Sequence, residues 1–280
     1  MFEPKISAAD ATATPDWQRY LVAQDWHRFT PADHRTWDRL TERQVRLLEG
    51  RIVSPFLTGW KRLGLYEPGI PELDRLSDRM EAATGWRCVS VAGIVPDAEF
   101  FAMLADRRFP VGNFIRDGRH LDYLEEPDCF HDIFGHAPLI AYQPMARLME
   151  AMGNLGVAAC AAGHGDIISR LYWYTVEFGL VRERGQTRIL GAGLASSFGE
   201  ARRSLEDDVP RPLFTVEEAA ATPYENDHFQ PMYFVSSALD DVAAQLESLD
   251  TAALMRLAAY RPIRKPAAAA PSDSMSDSAT

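Results

Sequence analysis

The chain has 280 residues, of which 46% are hydrophobic and 25% charged, a length for one large globular domain or two small ones. Its 40 acidic against 29 basic residues give a formal net charge of −11, which argues against a nucleic-acid partner because that needs a basic footprint. No apolar run of roughly 18 residues offers a membrane span, and Cys88, Cys129 and Cys160 form neither a disulfide framework nor a CxxC zinc site.

Residues 1–15, rich in Ala, Thr, Asp and Pro without periodicity, are expected to be disordered. The opening MFEPKISAADATATPDWQ lacks the basic start and apolar core of a signal peptide, so a cytoplasmic location is expected. One domain is expected over residues 16–264, since neither a Pro- or Gly/Ser-rich linker nor an internal repeat divides them. TPADHRTW, from residue 30, predicts a helix with Thr30 as N-cap, Pro31 at the first helical position and Asp33 in the first turn. IPELDRLSDRMEAATG puts Leu73, Leu76, Met80 and Ala83 on one helical face and stops at Gly85. WRCVSVA at 86–92 reads as a short strand, residues 145–160 and 167–181 as buried helices, and RILGAGL at 188–194 as a second strand. Leu239, Val242, Leu246 and Leu249 repeat helical spacing, and the low-complexity tail 265–280 is expected to be disordered. The fold class is therefore mainly α, a single domain with a few short β ribbons.

Within PDCFHDIFGHAP (127–138), His131 and His136 are five residues apart. A regular helix would splay their Cβ directions by about 140°. Two readings follow: hydrogen-bonded core histidines at a helix end, or a metal pair on an irregular, π-type turn that Gly135 makes easy. Glu177 favours the second, because it lies in the apolar window SRLYWYTVEFGLV, where an unpaired carboxylate is costly to bury. Arg170 or Arg182 could pair with it; so could a metal. Two histidines and one carboxylate form the facial triad of non-haem Fe(II) oxygen chemistry, and a hydrolytic zinc site uses the same donors.

PDCFHDIFGHAPL, then YWYTVEFGL, GAGLASSFGE and FQPMYF, together resemble the pterin-dependent aromatic amino acid hydroxylases over residues 17–263. The short bacterial phenylalanine 4-monooxygenases are nearest in pattern. The resemblance implies a mainly α catalytic domain holding one Fe(II), with His131, His136 and Glu177 as ligands. It implies a tetrahydropterin, tetrahydrobiopterin or a bacterial analogue, against VAGIVPDAEFF (91–101): Gly93, Val95 and Asp97 by backbone or edge, Phe100 by stacking, and Tyr172 beside it. Arg116 in NFIRDG would grip the carboxylate of the substrate L-phenylalanine, as a planar bidentate donor suits. Leu124, Trp173 and Ser196 would line the substrate pocket, flanked by Tyr123 and Gly193, with Ser196 also bonding an iron-ligand histidine. Asp132 stands where animal members carry a glutamate that reaches the pterin, and Leu124 where they carry threonine.

The implied reaction uses O2 as co-substrate and yields tyrosine; Tyr172 and Asp132 are the candidate catalytic side chains. Bland alternatives exist for each residue: Phe100 as core, Arg116 paired with Asp128 at the surface, Ser196 as a turn hydroxyl. Tyrosine or tryptophan hydroxylation and a zinc hydrolase with Asp132 as its carboxylate are the competing functions. With no heptad helix after residue 264, a monomer is expected.

Overall fold

In a computed structural model that describes residues 16–122, 126–224 and 228–260, Thr30 and Asp33 cap each other's backbone. The Thr30 hydroxyl accepts from the Asp33 N–H at 3.2 Å and the Asp33 carboxylate accepts from the Thr30 N–H at 2.8 Å, a full capping box. Helix α1 (Pro31–Leu48) follows, then α2 (Ser54–Arg62) and α3 (Leu73–Thr84), which ends on Gly85 in the left-handed region at φ +81°. Strand β1 (Arg87–Val91), helix α4 (Asp97–Ala105) and strand β2 (Arg108–Gly112) form one βαβ unit, with β1 and β2 parallel from Arg87↔Arg108 to Val91↔Gly112. Next come a π-helical turn, Phe130–His136, and helices α5 (Ala137–Ile140), α6 (Gln143–Ala161) and α7 (Gly165–Tyr172).

A second π-helical turn, Trp173–Glu177, leads into β3 (Leu180–Glu183) and β4 (Gln186–Ile189). Then follow α8 (Ala192–Ser196), α9 (Phe198–Arg203), α10 (Val216–Ala221), β5 (Val235–Ser236), α11 (Leu239–Glu247) and α12 (Thr251–Ala259). Strand β3 is antiparallel to β4 and parallel to β5. The fold is mainly α with short ribbons, as the periodicity implies.

Helix α6 is the hub, packing on α4, α7 and α11. A Cβ on Gly153 would sit 2.3 Å from the Ala105 nitrogen, and one on Gly156 2.3 Å from the Phe101 ring. Small residues thus let α4 approach closely and seat Phe101 in α6, which turns the adjacent Phe100 outward.

Four expectations change. The helix read over 167–181 is α7, a π-turn and the start of β3; apolar residues on every face suit a buried strand as well as a buried helix. Of 188–194, only residues to Ile189 are strand, and α8 begins at Ala192. Strand β2 was not foreseen, because Pro110 interrupts its signal. Leu249 packs on the core beyond the end of α11. Tyr123, Leu124, the N-terminal residues 1–15 and the tail 265–280 lie outside the described residues.

Candidate active site

Phe130 and Phe134 are four residues apart and both face the core, stacked at 4.8 Å, with Trp37 and Phe56 edge-on behind them. The π-turn then puts the residues five apart, His131 and His136, on the opposite side. The wide turn resolves the spacing that a regular helix would splay. Gly135 has no left-handed backbone there; its role is packing, since a Cβ would lie 2.9 Å from the Ala192 carbonyl oxygen. That corrects the expectation that glycine eases a distorted backbone.

Glu177 closes the second π-turn and brings its carboxylate to the same point. His136 Nε2 lies 3.1 Å from Glu177 Oε1 and 3.3 Å from His131 Nε2, and His131 Nε2 lies 3.7 Å from Glu177 Oε2. Neither Arg170 nor Arg182 is the partner; Arg170 bonds Asp166 and the Ala220 carbonyl. Donors about 2.1 Å from one ion are about 3.0 Å apart at right angles and about 3.4 Å apart at tetrahedral angles. Two of the separations, 3.1 and 3.3 Å, fall within that range and the third, 3.7 Å, lies just above it, so the three donors converge closely enough to share a single cation.

Their protonation also fits. The Ser196 hydroxyl donates its one hydrogen to the Ala192 carbonyl at 2.9 Å, so at His131 Nδ1, also 2.9 Å away, it accepts. Nδ1 therefore carries the proton and Nε2 offers a lone pair. Burial, with His136 alongside, lowers the His131 imidazole to about 4 against the pull of Glu177, so it is neutral at pH 7. For Glu177, burial favours protonation, but the histidines and the Tyr172 hydroxyl outweigh it and hold the carboxyl below its ordinary range.

A cavity of about 160 Å³ opens on one side of this cluster, leaving room for ligands other than protein. Its walls include Gly93, Val95, Phe100, Asp132 and Tyr172 with the three donors. Tyr172 meets Phe100 edge-on at 5.3 Å and stacks beside His136 at 6.3 Å. Asp132 accepts the Gly112 N–H at 2.7 Å, and burial raises its carboxyl well above the ordinary value. Phe109, Pro110 and Gly112 also line the cavity and were missed in the sequence, because the strand carrying them was missed.

Asp97, Arg116, Trp173, Gly193 and Ser196 are outside those walls. Asp97 accepts from the Ser169 hydroxyl at 2.7 Å at the start of α4. Arg116 does pair with Asp128, yet not at the surface: their side chains are 7% and 0% exposed. Nε and Nη2 reach the two carboxylate oxygens at 2.8 and 2.9 Å and Nη1 donates to the Leu121 carbonyl at 3.2 Å. Asp128 also accepts the His131 N–H at 3.0 Å, so it joins this arginine to the ligand turn. Trp173 packs against Tyr224 and Phe178, with ring centroids 4.2 and 4.7 Å away. Gly193 leaves space for Phe178, whose ring a Cβ would meet at 2.8 Å.

A family model described as biopterin-dependent aromatic amino acid hydroxylase matches residues 24–260. The phenylalanine-4-hydroxylase of Ralstonia nicotianae is 45% identical over 232 residues, covering 82% of this chain and 73% of that protein. That of Pseudomonas aeruginosa is 40% identical over 246 residues, covering 86% and 93%. Among solved structures, phenylalanine hydroxylase from Chromobacterium violaceum bound to cobalt matches with a TM-score of 0.83 at 40% identity, covering 87% of this chain and 88% of that one.

Proposed function

The chain belongs to the biopterin-dependent aromatic amino acid hydroxylases, and from that premise we infer its reaction. It is a phenylalanine 4-monooxygenase, converting L-phenylalanine to L-tyrosine with O2, a tetrahydropterin and mononuclear non-haem iron. The observation that carries the reading is one cluster, His131, His136 and Glu177, facing one cavity walled by Phe100 and Tyr172. When bound, iron(II) and the reduced pterin supply the activation of O2 that no side chain can provide.

The rest of the reaction is positioning. His131, His136 and Glu177 hold the iron, and Ser196 keeps His131 in the tautomer that presents Nε2. Phe100 stacks the pterin, with Gly93, Val95 and Asp97 along its edge; support comes from the outward turn of Phe100 beside the donors. Tyr172 closes the cavity against Glu177, and Asp132 presents a carboxyl whose burial favours the protonated form, a hydrogen-bond donor to the pterin side.

Arg116 anchors the amino acid carboxylate. Its guanidinium has five N–H groups, of which Asp128 and the Leu121 carbonyl engage three, leaving two for a substrate oxygen pair. Trp173 walls the slot for the substrate ring, with Gly193 and Ser196 behind it.

We further assign the protein to the cytoplasm as a monomer. Three thiols without a disulfide among the described residues suit a reducing compartment, and the charge of −11 opposes self-association. Among the described residues no helix is long and apolar enough to cross a membrane.

Purified protein given Fe(II), tetrahydropterin, O2 and phenylalanine should form tyrosine, with omission of iron or pterin abolishing it. Tyrosine formed without pterin would overturn the mechanism, and preferential turnover of tyrosine or tryptophan would overturn the substrate. A sedimentation pattern of stable tetramers would refute the monomer.

A further inference from the structure

Trp173 opens the π-turn that ends in Glu177, but what aims its indole lies outside that turn. The rings of Tyr224 and Phe178 lie at 13° and 38° to it. Such contacts hold the indole near one plane but do not choose between its two faces, since χ2 of a tryptophan is roughly two-fold. Only the N–H has a direction. It donates to Gln230 Oε1 at 3.0 Å.

The amide of Gln230 is itself oriented without ambiguity. An indole can only donate, so the oxygen must face it, and Nε2 then donates to the His228 carbonyl at 3.3 Å. The backbone N–H of Gln230 donates to Glu200 Oε1 at 2.9 Å, and the Tyr233 hydroxyl donates to the same oxygen at 2.9 Å. Gln230 and Glu200 are 4% and 6% exposed and Tyr233 is fully buried, so water does not compete for these bonds. Glu200 is fixed in turn at the start of α9, where the Ser197 hydroxyl accepts its N–H at 3.3 Å.

We propose that Gln230 is a positioning residue for substrate choice: held by Glu200, it sets the orientation of the Trp173 indole and thereby the shape of the ring slot. The proposal rests on the reading of Trp173 as the wall of that slot. The elbow between α8 and α9 then controls both halves of the site. Ser196 on one side of the elbow fixes His131, and Glu200 on the other fixes Gln230 and, through it, Trp173. Iron ligand and substrate wall are referred to one rigid element.

Four variants of the full-length enzyme test this: Gln230→Leu, Gln230→Glu, Trp173→Phe, and Gln230→Leu combined with Trp173→Phe. In 15N-labelled metal-free protein, the Trp173 indole resonance is identified by its absence in Trp173→Phe. Its hydrogen exchange should speed up about tenfold or more in Gln230→Leu. In the iron-loaded enzyme, the ratio of kcat/KM for phenylalanine over tryptophan should fall about five- to twentyfold in Gln230→Leu. In the Trp173→Phe background the same change should add less than about twofold, because the bond it removes is already gone.

Gln230→Glu supplies the conservative control. A protonated carboxyl accepts from the indole with one oxygen and donates to the His228 carbonyl with the other, as the amide does. The ionised carboxylate also accepts the indole N–H, so selectivity should stay within about twofold of wild type. Unchanged indole exchange or unchanged selectivity in Gln230→Leu, beside a changed Trp173→Phe, overturns the role of Gln230 alone. Unchanged selectivity in Trp173→Phe overturns the wall and the proposal with it. If Gln230→Leu does not fold, Gln230→Glu decides the matter: it keeps an acceptor for the indole, so a selectivity as low as that of Trp173→Phe refutes the proposal.

Discussion

Two buried carboxylates show that neighbours decide whether the effect of burial prevails. Asp128 accepts four hydrogen bonds: three from Arg116, through its backbone N–H, Nε and Nη2, and one from the His131 N–H. Burial alone would raise its carboxyl, but Arg116 and the backbone donors outweigh that and hold it below the ordinary value. Asp128→Ala strands Arg116 as an unpaired buried charge, so urea denaturation should show a loss of about 3–5 kcal/mol. Among the described residues Glu200 has no such cation; burial raises it, and the Gln230 N–H and Tyr233 hydroxyl only partly oppose this. A carboxyl raised in the folded state holds its proton longer than the unfolded chain does. Its contribution is therefore greatest below the ordinary value of about 4.3 and is lost as pH rises from there through the raised value. Glu200→Gln keeps an acceptor for both donors without a buried charge. As pH rises from about 4.3, its stability relative to wild type should rise, and a difference that stays flat from there to neutral pH would refute the assignment.

At the scale of elements, both π-turns end in a ligand: His136 closes one and Glu177 the other. Each turn takes one residue more than an α-turn, and in the first that extra residue lets aromatics four apart face the core while ligands five apart face the cavity. The π-turn is thus legible in the sequence as a conflict between the two periods. Its neighbour is not. A Cβ on Gly135 would come within 2.9 Å of the Ala192 carbonyl and 3.2 Å of the Ala192 Cβ, so Gly135→Ala must push the turn away from α8. Overpacking of this kind costs about 1–3 kcal/mol, and the shift also parts Ser196 from His131. Chemical denaturation should show the first effect and iron stoichiometry after dialysis the second, with a normal iron content refuting the coupling.

For the whole molecule, the ligand cluster is supported from behind by a core that does not depend on it: Trp37, Phe56, Phe130 and Phe134 are wholly buried. Removing iron with a chelator should leave the far-ultraviolet circular dichroism unchanged. The melting temperature should fall by several degrees and recover as iron is returned, by mass action on the folded state. Loss of helical signal on chelation would show that the metal, and not the core, holds the fold. Much of this was readable from the chain alone. Thr30, Asp33 and Gly85 mark helix ends through local hydrogen bonds and backbone preference, and Glu177 stands out because a carboxylate in so apolar a window needs a partner, for which a metal shared with His131 and His136 is one of the candidates. Local chemistry is written in local sequence. The strand β2, the split of 167–181 and the burial of the Arg116–Asp128 pair were not readable, since an apolar run or an ion pair looks the same whatever packs against it. Nor was the path from Glu200 through Gln230 to Trp173, whose members lie 30 and 57 residues apart. Hydrogen bonds over such separations exist only once tertiary packing has brought their ends together and excluded water, and that the folded structure alone decides.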